Sequence, residues 1–338
     1  MRNLIMCCDW GTSFLRLRLI DINNYHLAGE VLSPDGIAST FDGWIDRKKT
    51  EDVTRDHFFR NQLKKQVDIL SANLSTNLDH IPILISGMAS SSIGMKEVPY
   101  ATLPFALNGS GASIKCFDVQ DDFPHNVMLI SGVKTDKDVM RGEETQLIGL
   151  LELMTLEGKD FKDAVFIFPG THSKHISVDD GEIISFKTYM TGEVFNLMVT
   201  QSILKDSVTP SDYTDFTDDE LDAFKMGLNE ASSSNILHSL FQVRTNQLFD
   251  KLNKKENFIY LSGLLIGTEL KSLLDNNHSQ LVLCSGSNLH VFYKRAIEEM
   301  KLSYRSIIIP ADIIDKSAFY GQIKIFQNQQ IALKNIAG

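Results

Sequence analysis

The sequence predicts an α/β protein built as two related halves. Three observations carry that prediction. Strand-like apolar runs alternate with helix-like segments along the whole chain, the pattern of sheets flanked by helices. Two hairpins share one punctuation, an apolar strand, a Gly-hydroxyl tip and a returning strand, and they lie about 160 residues apart, at 9–13 and 168–174. The 338 residues also suffice for about two domains of ordinary size.

The elements follow in order. Strands are predicted over 4–8 and 14–20, where Leu15, Leu17 and Leu19 alternate with Arg16 and Arg18. Asn23-Asn24 signals a turn, and 25–32 a third strand. Phe58, Leu63, Val67 and Leu70 give helical spacing over 57–73. IPILISGMASS (81–91) reads as a buried strand running into a glycine turn, and 125–131 as another strand. MRGEETQLIGLLELMTLEG (140–158) is a helix with Leu147, Leu150, Leu151 and Met154 on its apolar face. The second half begins with strand, Gly turn, strand, Asp-Asp-Gly turn, strand over 163–193. Helices are predicted over 193–205 and 236–253, with the polar stretch 206–235 a surface loop carrying a short helix. A buried helix over 257–274, a strand–Gly–helix element over 280–300, a strand in RSIIIP and a closing helix in DKSAFYGQIKIFQNQ complete the chain. This order places a domain boundary after residue 142, giving domains 1–142 and 143–338, with the last helix free to pack back on the first. Ligands of such folds bind where loops from strand ends converge, so the cleft between the halves is the expected site.

Composition narrows the partners. The chain is 43% hydrophobic and 22% charged, ordinary for a soluble protein with a sizeable core. Its net charge of −10 argues against nucleic acid or an anionic membrane surface as a partner. No apolar run approaches a membrane span, and the start of the chain has no secretory pattern. Cys7, Cys8, Cys116 and Cys284 form no CxxC pair and no zinc spacing, so a cytoplasmic location with reduced thiols is expected. His26, His57, His80, His125, His238, His278 and His290 show no metal-ligand spacing and read as surface or packing residues. Nothing in the sequence sets an oligomeric state, and a homo-oligomer stays open.

Several segments carry chemistry. Asp9, Gly11, Thr12 and Ser13 form a tip whose backbone N–H groups and hydroxyls suit a phosphate, with Asp9 placed to hold Mg²⁺ through water. A plain hairpin turn explains this stretch equally well on its own. Gly170, Thr171 and Ser173 repeat the tip, and His172 and Lys174 add positive character. Two such tips, each opening a half, say more than one. Glu143 and Glu144 stand in the first helical turn after Arg141-Gly142. The helix dipole alone favours carboxylates there by about 0.3–1 kcal/mol each. A carboxylate facing a cleft also suits a general base for a substrate hydroxyl. The Gly/Ser loop 86–100, with Ser90, Lys96 and Tyr100, suits a polyol as well as it suits solvent. Gly286 and Ser287 sit in a strand–Gly–helix turn that lets a nucleotide approach backbone. GxSxG, HExxH and P-loop patterns are absent, so any use of ATP is without a P-loop.

Together, DWGTS followed by LR, SGM with GMKEVPY, VMRGEETQLIG, PGTHSK, MTGE and LSGLLIGTEL resemble the 2-dehydro-3-deoxygalactonokinases over about residues 5–325. The resemblance implies the actin/sugar-kinase/Hsp70 superfamily, with two RNase H-like domains, mixed sheets flanked by helices, and an interdomain cleft that closes on ATP. It implies Mg²⁺-ATP as donor, and a sugar acid, 2-dehydro-3-deoxy-D-galactonate, as acceptor at its 6-hydroxyl. The product would pass to an aldolase in galactonate catabolism. Asp9, Gly11, Thr12 and Ser13 match the first phosphate motif, and Gly170, Thr171 and Lys174 the second. Gly286 and Ser287 match the adenosine motif. The helices at 143–155 and 318–326 match the two connecting helices. Glu143 or Glu144 stands where related kinases have their Asp base, with Glu143 the better match by register, and Arg141 belongs to the same catalytic segment. Lys96, Ser90 and His172 are the substrate-side candidates, Arg141 joining Lys96 and His172 as a cation for the acid. One departure matters: the second phosphate motif usually opens with Asp, whereas Phe168-Pro169 precedes Gly170 here, which leaves more of the metal's binding to Asp9. A same-fold kinase of another acceptor and an acceptor-free ATPase module are the rival readings.

Overall fold

The computed structural model describes residues 3–156, 158, 161, 163–210, 215–233, 235–275 and 279–337; His278 lies outside them. The chain divides into two compact units. The first comprises Met1–Phe161, Gly181–Ser185 and Asp315–Gly338, the second Lys162–Asp180 and Phe186–Ile314. The boundary drawn from sequence after residue 142 partitions the chain differently, because the helix that starts at Glu143 groups with the first unit.

In the first unit, β1 (Leu4–Trp10), β2 (Leu15–Asp21) and β3 (His26–Ser33) form an antiparallel meander. Helices α1 (Ile37–Lys48) and α2 (Arg55–Leu74) follow, then β4 (Ile83–Gly87), β5 (Ala101–Thr102), β6 (Phe105–Ala106), β7 (Ile114–Phe117), β8 (Val127–Ile130), β9 (Val133–Lys134), β10 (Val139–Met140) and α3 (Glu143–Leu156). The main sheet runs β3-β2-β1-β4-β8-β7, with β4 parallel to β1 and β8 parallel to β4. Residues of β1 alternate between two covered faces. Met6, Cys8 and Trp10 join Leu15, Leu17 and Leu19 in a core with Phe59, Leu63, Val67 and Leu70 of α2, while Ile5 and Cys7 are buried on the other side. That two-sided burial is why the strand reads as a continuous apolar run.

The second unit repeats the plan. It holds β11 (Asp163–Phe168), β12 (Ser173–Asp179), β13 (Glu182–Tyr189, whose first residues group with the first unit), α4 (Thr191–Thr200), α5 (Asp218–Ser233), α6 (Ile236–Leu248), α7 (Lys254–Leu270), β14 (Gln280–Leu283), α8 (Ser287–Glu299) and β15 (Ser306–Ile308). Its order β15-β14-β11-β12-β13 is that of β8-β4-β1-β2-β3, with the same parallel and antiparallel neighbours where registers are defined. The duplication expected from the paired hairpins is therefore present, in the RNase H-like form that the family resemblance implies. The last helix, α9 (Ala311–Ala337), returns to the first unit from Asp315 onward.

Two helices differ from the sequence reading. The polar stretch 206–235 contains a 16-residue helix, α5, rather than a loop with a short one. Its buried face is largely small residues, Ala223, Gly227 and Ala231 beside Phe224 and Leu228. A Cβ on Gly227 would lie 2.2 Å from the Tyr260 carbonyl oxygen, and one on Gly263 2.3 Å from that of Phe224. α5 and α7 thus meet backbone to backbone, and small residues carry a weak apolar signal. α1 has no counterpart in the sequence reading, since its stretch mixes polar residues with an internal glycine.

Candidate active site

In the first unit the hairpin tip is held from behind. Gly11 N donates to Phe14 O at 2.9 Å, and the first N–H groups of α1, from Ile37 and Ala38, donate to Gly11 O and Thr12 O at 2.9 and 3.1 Å. The tip's carbonyls are consumed by α1, which leaves the exposed side chains of Thr12 and Ser13 facing outward. Asp9 pairs across the strands with Arg16 and Ser86. Burial is the largest influence on its carboxyl and pushes the pKa up; Arg16 and Arg18 oppose this, while Glu143 and Asp315 add to it. Both arginines turn to Asp315 on α9, Arg16 Nη1 and Arg18 Nη2 each lying 2.5 Å from its carboxylate.

The start of α3 closes against this strand end. Gly142 has φ +111° and Gly87 φ +89°, backbone that favours glycine. A Cβ on Gly142 would be 3.4 Å from Gly87 Cα, and one on Gly87 3.3 Å from Asp9 Oδ1. Glu144 is 1% exposed; its carboxylate accepts from Gly142 N at 2.8 Å and from Thr145 Oγ1 at 2.9 Å. Burial first, then the Glu143 charge, pushes its pKa up to about 7. Glu143 is half-buried, accepts from Arg141 N at 3.0 Å, and its charge is felt by Asp9. The Arg141 guanidinium carbon lies over the Tyr100 ring, 4.1 Å from its centroid, and Nη1 donates to Ser90 O, Ser90 Oγ and Ser131 Oγ at 2.7, 2.5 and 3.2 Å. Ser90 is fully buried in that contact, whereas Lys96 is exposed on the same loop. α3 and α9 then cross at glycines: a Cβ on Gly149 would meet Ser317 O at 1.9 Å, and one on Gly321 Thr145 O at 1.8 Å.

In the second unit a cavity of about 460 Å³ opens beside the other tip. Gly170 of the tip, Thr191 and Gly192 at the start of α4, and Ser287 and Asn288 at the start of α8 form one side; Phe195, Phe258, Leu265, Ile266, Leu289 and Phe292 supply the apolar remainder. Neither helix has a side-chain cap: Met190 precedes α4 and Gly286 precedes α8 without a capping hydrogen bond. No capping side chain thus covers the N–H groups of Thr191, Gly192, Ser287 and Asn288, which are anion-binding in character, whereas Leu289 N donates to Gly286 O at 3.3 Å. Thr171 is exposed and fixes α4 by accepting from Glu193 N at 3.0 Å. The basic side chains of this tip are already engaged. His172 Nε2 lies 2.5 Å from Glu193 Oε2, and the buried Lys174 donates to His172 O at 3.0 Å. Gly286 is exposed and, like Gly170, would place a Cβ in open space with nothing within 4 Å.

The structure therefore gathers the predicted residues in two places. Asp9, Ser90, Arg141, Glu143 and Glu144 come together in the first unit, and Gly170 and Ser287 in the second. Sequence reasoning missed the apolar wall of the cavity, whose residues come from three helices and share no local pattern. It also missed Glu269, buried beneath the second tip.

Two RNase H-like units, each with a Gly-hydroxyl hairpin tip, define the fold of the actin-like ATPases and sugar kinases. Comparison with known proteins gives the finer assignment. Residues 9–314 match the model of the 2-keto-3-deoxy-galactonokinase family, and the chain belongs to that family. The Escherichia coli K12 2-dehydro-3-deoxygalactonokinase is 32% identical over 227 residues, 65% of this chain and 71% of the relative. A Rhizobium meliloti relative named for the same activity is 31% identical over 307 residues, 88% and 90% of the two chains. A crystal structure from Sinorhizobium meliloti bearing that family's name superposes with a TM-score of 0.74 at 28% identity, covering 96% of each chain.

Proposed function

We propose that the protein transfers the γ-phosphoryl group of ATP to the 6-hydroxyl of 2-dehydro-3-deoxy-D-galactonate. The observation that carries the nucleotide half of this reading is the set of three motif glycines that the fold itself does not require. A Cβ would meet nothing within 4 Å at Gly170 and Gly286, and only an ordinary 3.5 Å contact at Gly11, and none of the three has positive φ. Residues kept without side chains where protein atoms leave room are suited to backbone approach by a ligand. The apolar wall of the adjoining cavity suits an adenine ring, and the two uncapped helix starts suit its phosphates.

In the first unit Glu143 is the proposed general base. It takes the proton of the acceptor hydroxyl as the new O–P bond forms and ADP departs with the γ-bridging oxygen. Glu144 is unsuited to that role, because its carboxylate is buried and spent on Gly142 and Thr145. Arg141 would position the Gly142–Glu143 turn through its contacts with Ser90 and Tyr100. Lys96 and Arg141 are the proposed cations for the substrate carboxylate on this unit, with Ser90 holding Arg141. His172 is less suited to bind the acid, because Glu193 already accompanies it.

Mg²⁺ fits the donor set present. The Glu143 carboxylate is close enough to disfavour the charge on Asp9, a repulsion that a cation relieves. Among the described residues no cluster of three or more His, Cys, Asp or Glu could hold a metal ion alone. Few protein ligands are needed by an ion that keeps several waters and takes phosphate oxygens. Asp9 would hold it, and it would supply neutralisation of phosphoryl charge. A cytoplasmic location suits four cysteines that are all unpaired, and among the described residues no helix is long and apolar enough to cross a membrane.

A coupled ADP-release assay with Mg²⁺-ATP and a panel of acceptors tests the reading. Turnover on the 2-dehydro-3-deoxygalactonate acid, and not on its gluconate epimer or simple hexoses, is the expected result. Turnover confined to another acceptor would overturn the substrate, and ADP release independent of any acceptor would overturn the kinase.

A further inference from the structure

The segment LSGLLIGTEL has no part in the chemistry above, yet its Glu269 is 2% exposed and receives three side chains. Thr191 Oγ1 donates to Glu269 Oε2. Tyr293 Oη donates to the same oxygen at 2.7 Å. His175 Nε2 lies 3.0 Å from Oε1. Tyr293 Oη also lies 3.2 Å from Ser173 Oγ, which accepts from Gly170 N at 3.3 Å. One carboxylate on α7 thereby reaches the start of α4, the body of α8, strand β12 and, through Tyr293 and Ser173, the second tip. His175 Nδ1 has no hydrogen-bond partner among the described residues.

The network lies directly behind the cavity. Thr191 and Tyr293 both line it. α4 has no capping side chain, so the Thr191–Glu269 bond and the Glu193 N–Thr171 O bond set where its first turn sits. There is no slack in that placement: a Cβ on Gly192 would lie 2.5 Å from Gly170 O, so a shift of the α4 start is passed to the tip. We infer that Glu269 is a positioning residue for the nucleotide, fixing the start of α4 and the Gly170 tip at the cavity wall. This rests on the reading of the cavity as the nucleotide site.

The test is a set of single variants, Glu269→Gln, Tyr293→Phe, Thr191→Val and Thr191→Ser. Each is read by the Kd for ATP, the KM values for ATP and acceptor, kcat and Tm. Hydroxyl donors left facing an amide in Glu269→Gln, the link from Glu269 to Ser173 lost in Tyr293→Phe, and a start of α4 released from its anchor in Thr191→Val should each raise the Kd and KM for ATP about tenfold. The acceptor KM and kcat should stay within about threefold, because the interaction lost is on the donor side. Thr191→Ser keeps the hydroxyl donor and should recover ATP affinity relative to Thr191→Val. ATP affinity within about twofold of wild type in Tyr293→Phe and Thr191→Val, with only Tm lowered, would show a merely structural network and overturn the inference. Tyr293→Phe removes a single oxygen, so it decides the matter if Glu269→Gln does not fold. The wild-type titration separates the premise from the inference: wild-type protein that binds no ATP overturns the reading of the cavity itself, and the inference with it.

Discussion

Replacing Gly170 with Ala separates what the fold needs from what a ligand needs. The new methyl would have no protein atom within 4 Å, and the backbone there does not have positive φ. At such a position Gly→Ala stabilises by about 0.4–1 kcal/mol, through the unfolded chain. For a unit of this size that corresponds to a Tm rise of about 1–4 °C. The same methyl stands where a phosphate would approach the Gly170 turn. Loss of one hydrogen bond to a charged group costs about 1.5–3 kcal/mol, so the KM for ATP should rise about 10- to 150-fold. The assay is ADP release at saturating acceptor with ATP varied, beside thermal unfolding of the same preparation. An unchanged KM for ATP with the expected Tm would refute the argument, since it would mean that no ligand comes near that backbone.

Further substitutions separate the carboxylates. Asp9→Asn should keep or raise Tm, because burial already disfavours the Asp9 charge, yet lower turnover about 100-fold or more; near-normal kcat would remove Asp9 from the site. Glu143→Gln should lower kcat about 10²–10⁴-fold with a much smaller change in KM, and a loss confined to Glu144→Gln instead would shift the base by one residue. Glu144 should reveal itself in stability. Its folded pKa of about 7 lies above the ordinary glutamate value of 4.5, so folding holds the proton, and stability falls as pH rises from about 4.5 to about 7. Over that window the cost is up to about 3 kcal/mol. Glu144→Gln should therefore have a flatter Tm–pH curve, which differential scanning calorimetry from pH 4.5 to 8 would measure, and parallel curves would count against a buried, proton-holding Glu144.

Much of the architecture was legible because strands buried on both faces leave continuous apolar runs, as from Ile5 to Cys8 and from Ala164 to Phe168. The two tips were legible because glycine followed by hydroxyls is unusual between such strands. What escaped depends on distance in sequence. α5 hides because it meets α7 through Gly227 and Gly263, and backbone contact leaves no side-chain pattern. α1 hides because its part is to give N–H groups to the first tip, a task that any sequence can perform. The cavity wall joins residues about 100 positions apart, from Phe195 to Phe292. Glu269 escaped because a carboxylate in an apolar helix becomes intelligible only when Thr191, Tyr293 and His175 are placed around it.

The repeated topology gives the departures at the second tip a physical meaning. Asp9 stands two residues before Gly11, and Phe168 stands two residues before Gly170. The same place in the repeat thus carries a half-buried carboxylate in one unit and a 5% exposed aromatic ring in the other. The helix starts diverge in the same direction. α3 begins with two carboxylates that accept from the N–H groups of Arg141 and Gly142 just ahead of it, whereas α4 and α8 begin without a capping side chain beside an apolar cavity. Negative charge at a helix start offers proton chemistry and attracts a cation, and bare N–H groups attract an anion. The proposed roles follow that difference: a duplicated fold specialised by charge rather than by shape, with the first unit assigned to the acceptor and base and the second to a nucleotide. If that division is right, placing an acid in the second tip by Phe168→Asp should weaken ATP binding rather than improve it. The new carboxylate would enter a buried position whose cross-strand neighbour is Lys174, which already donates to His172 O, rather than an arginine as opposite Asp9, and it would lie behind the N–H groups proposed to receive phosphate. Tighter binding of Mg²⁺-ATP by that variant would instead show that the second tip retains the metal-holding role its sequence has lost.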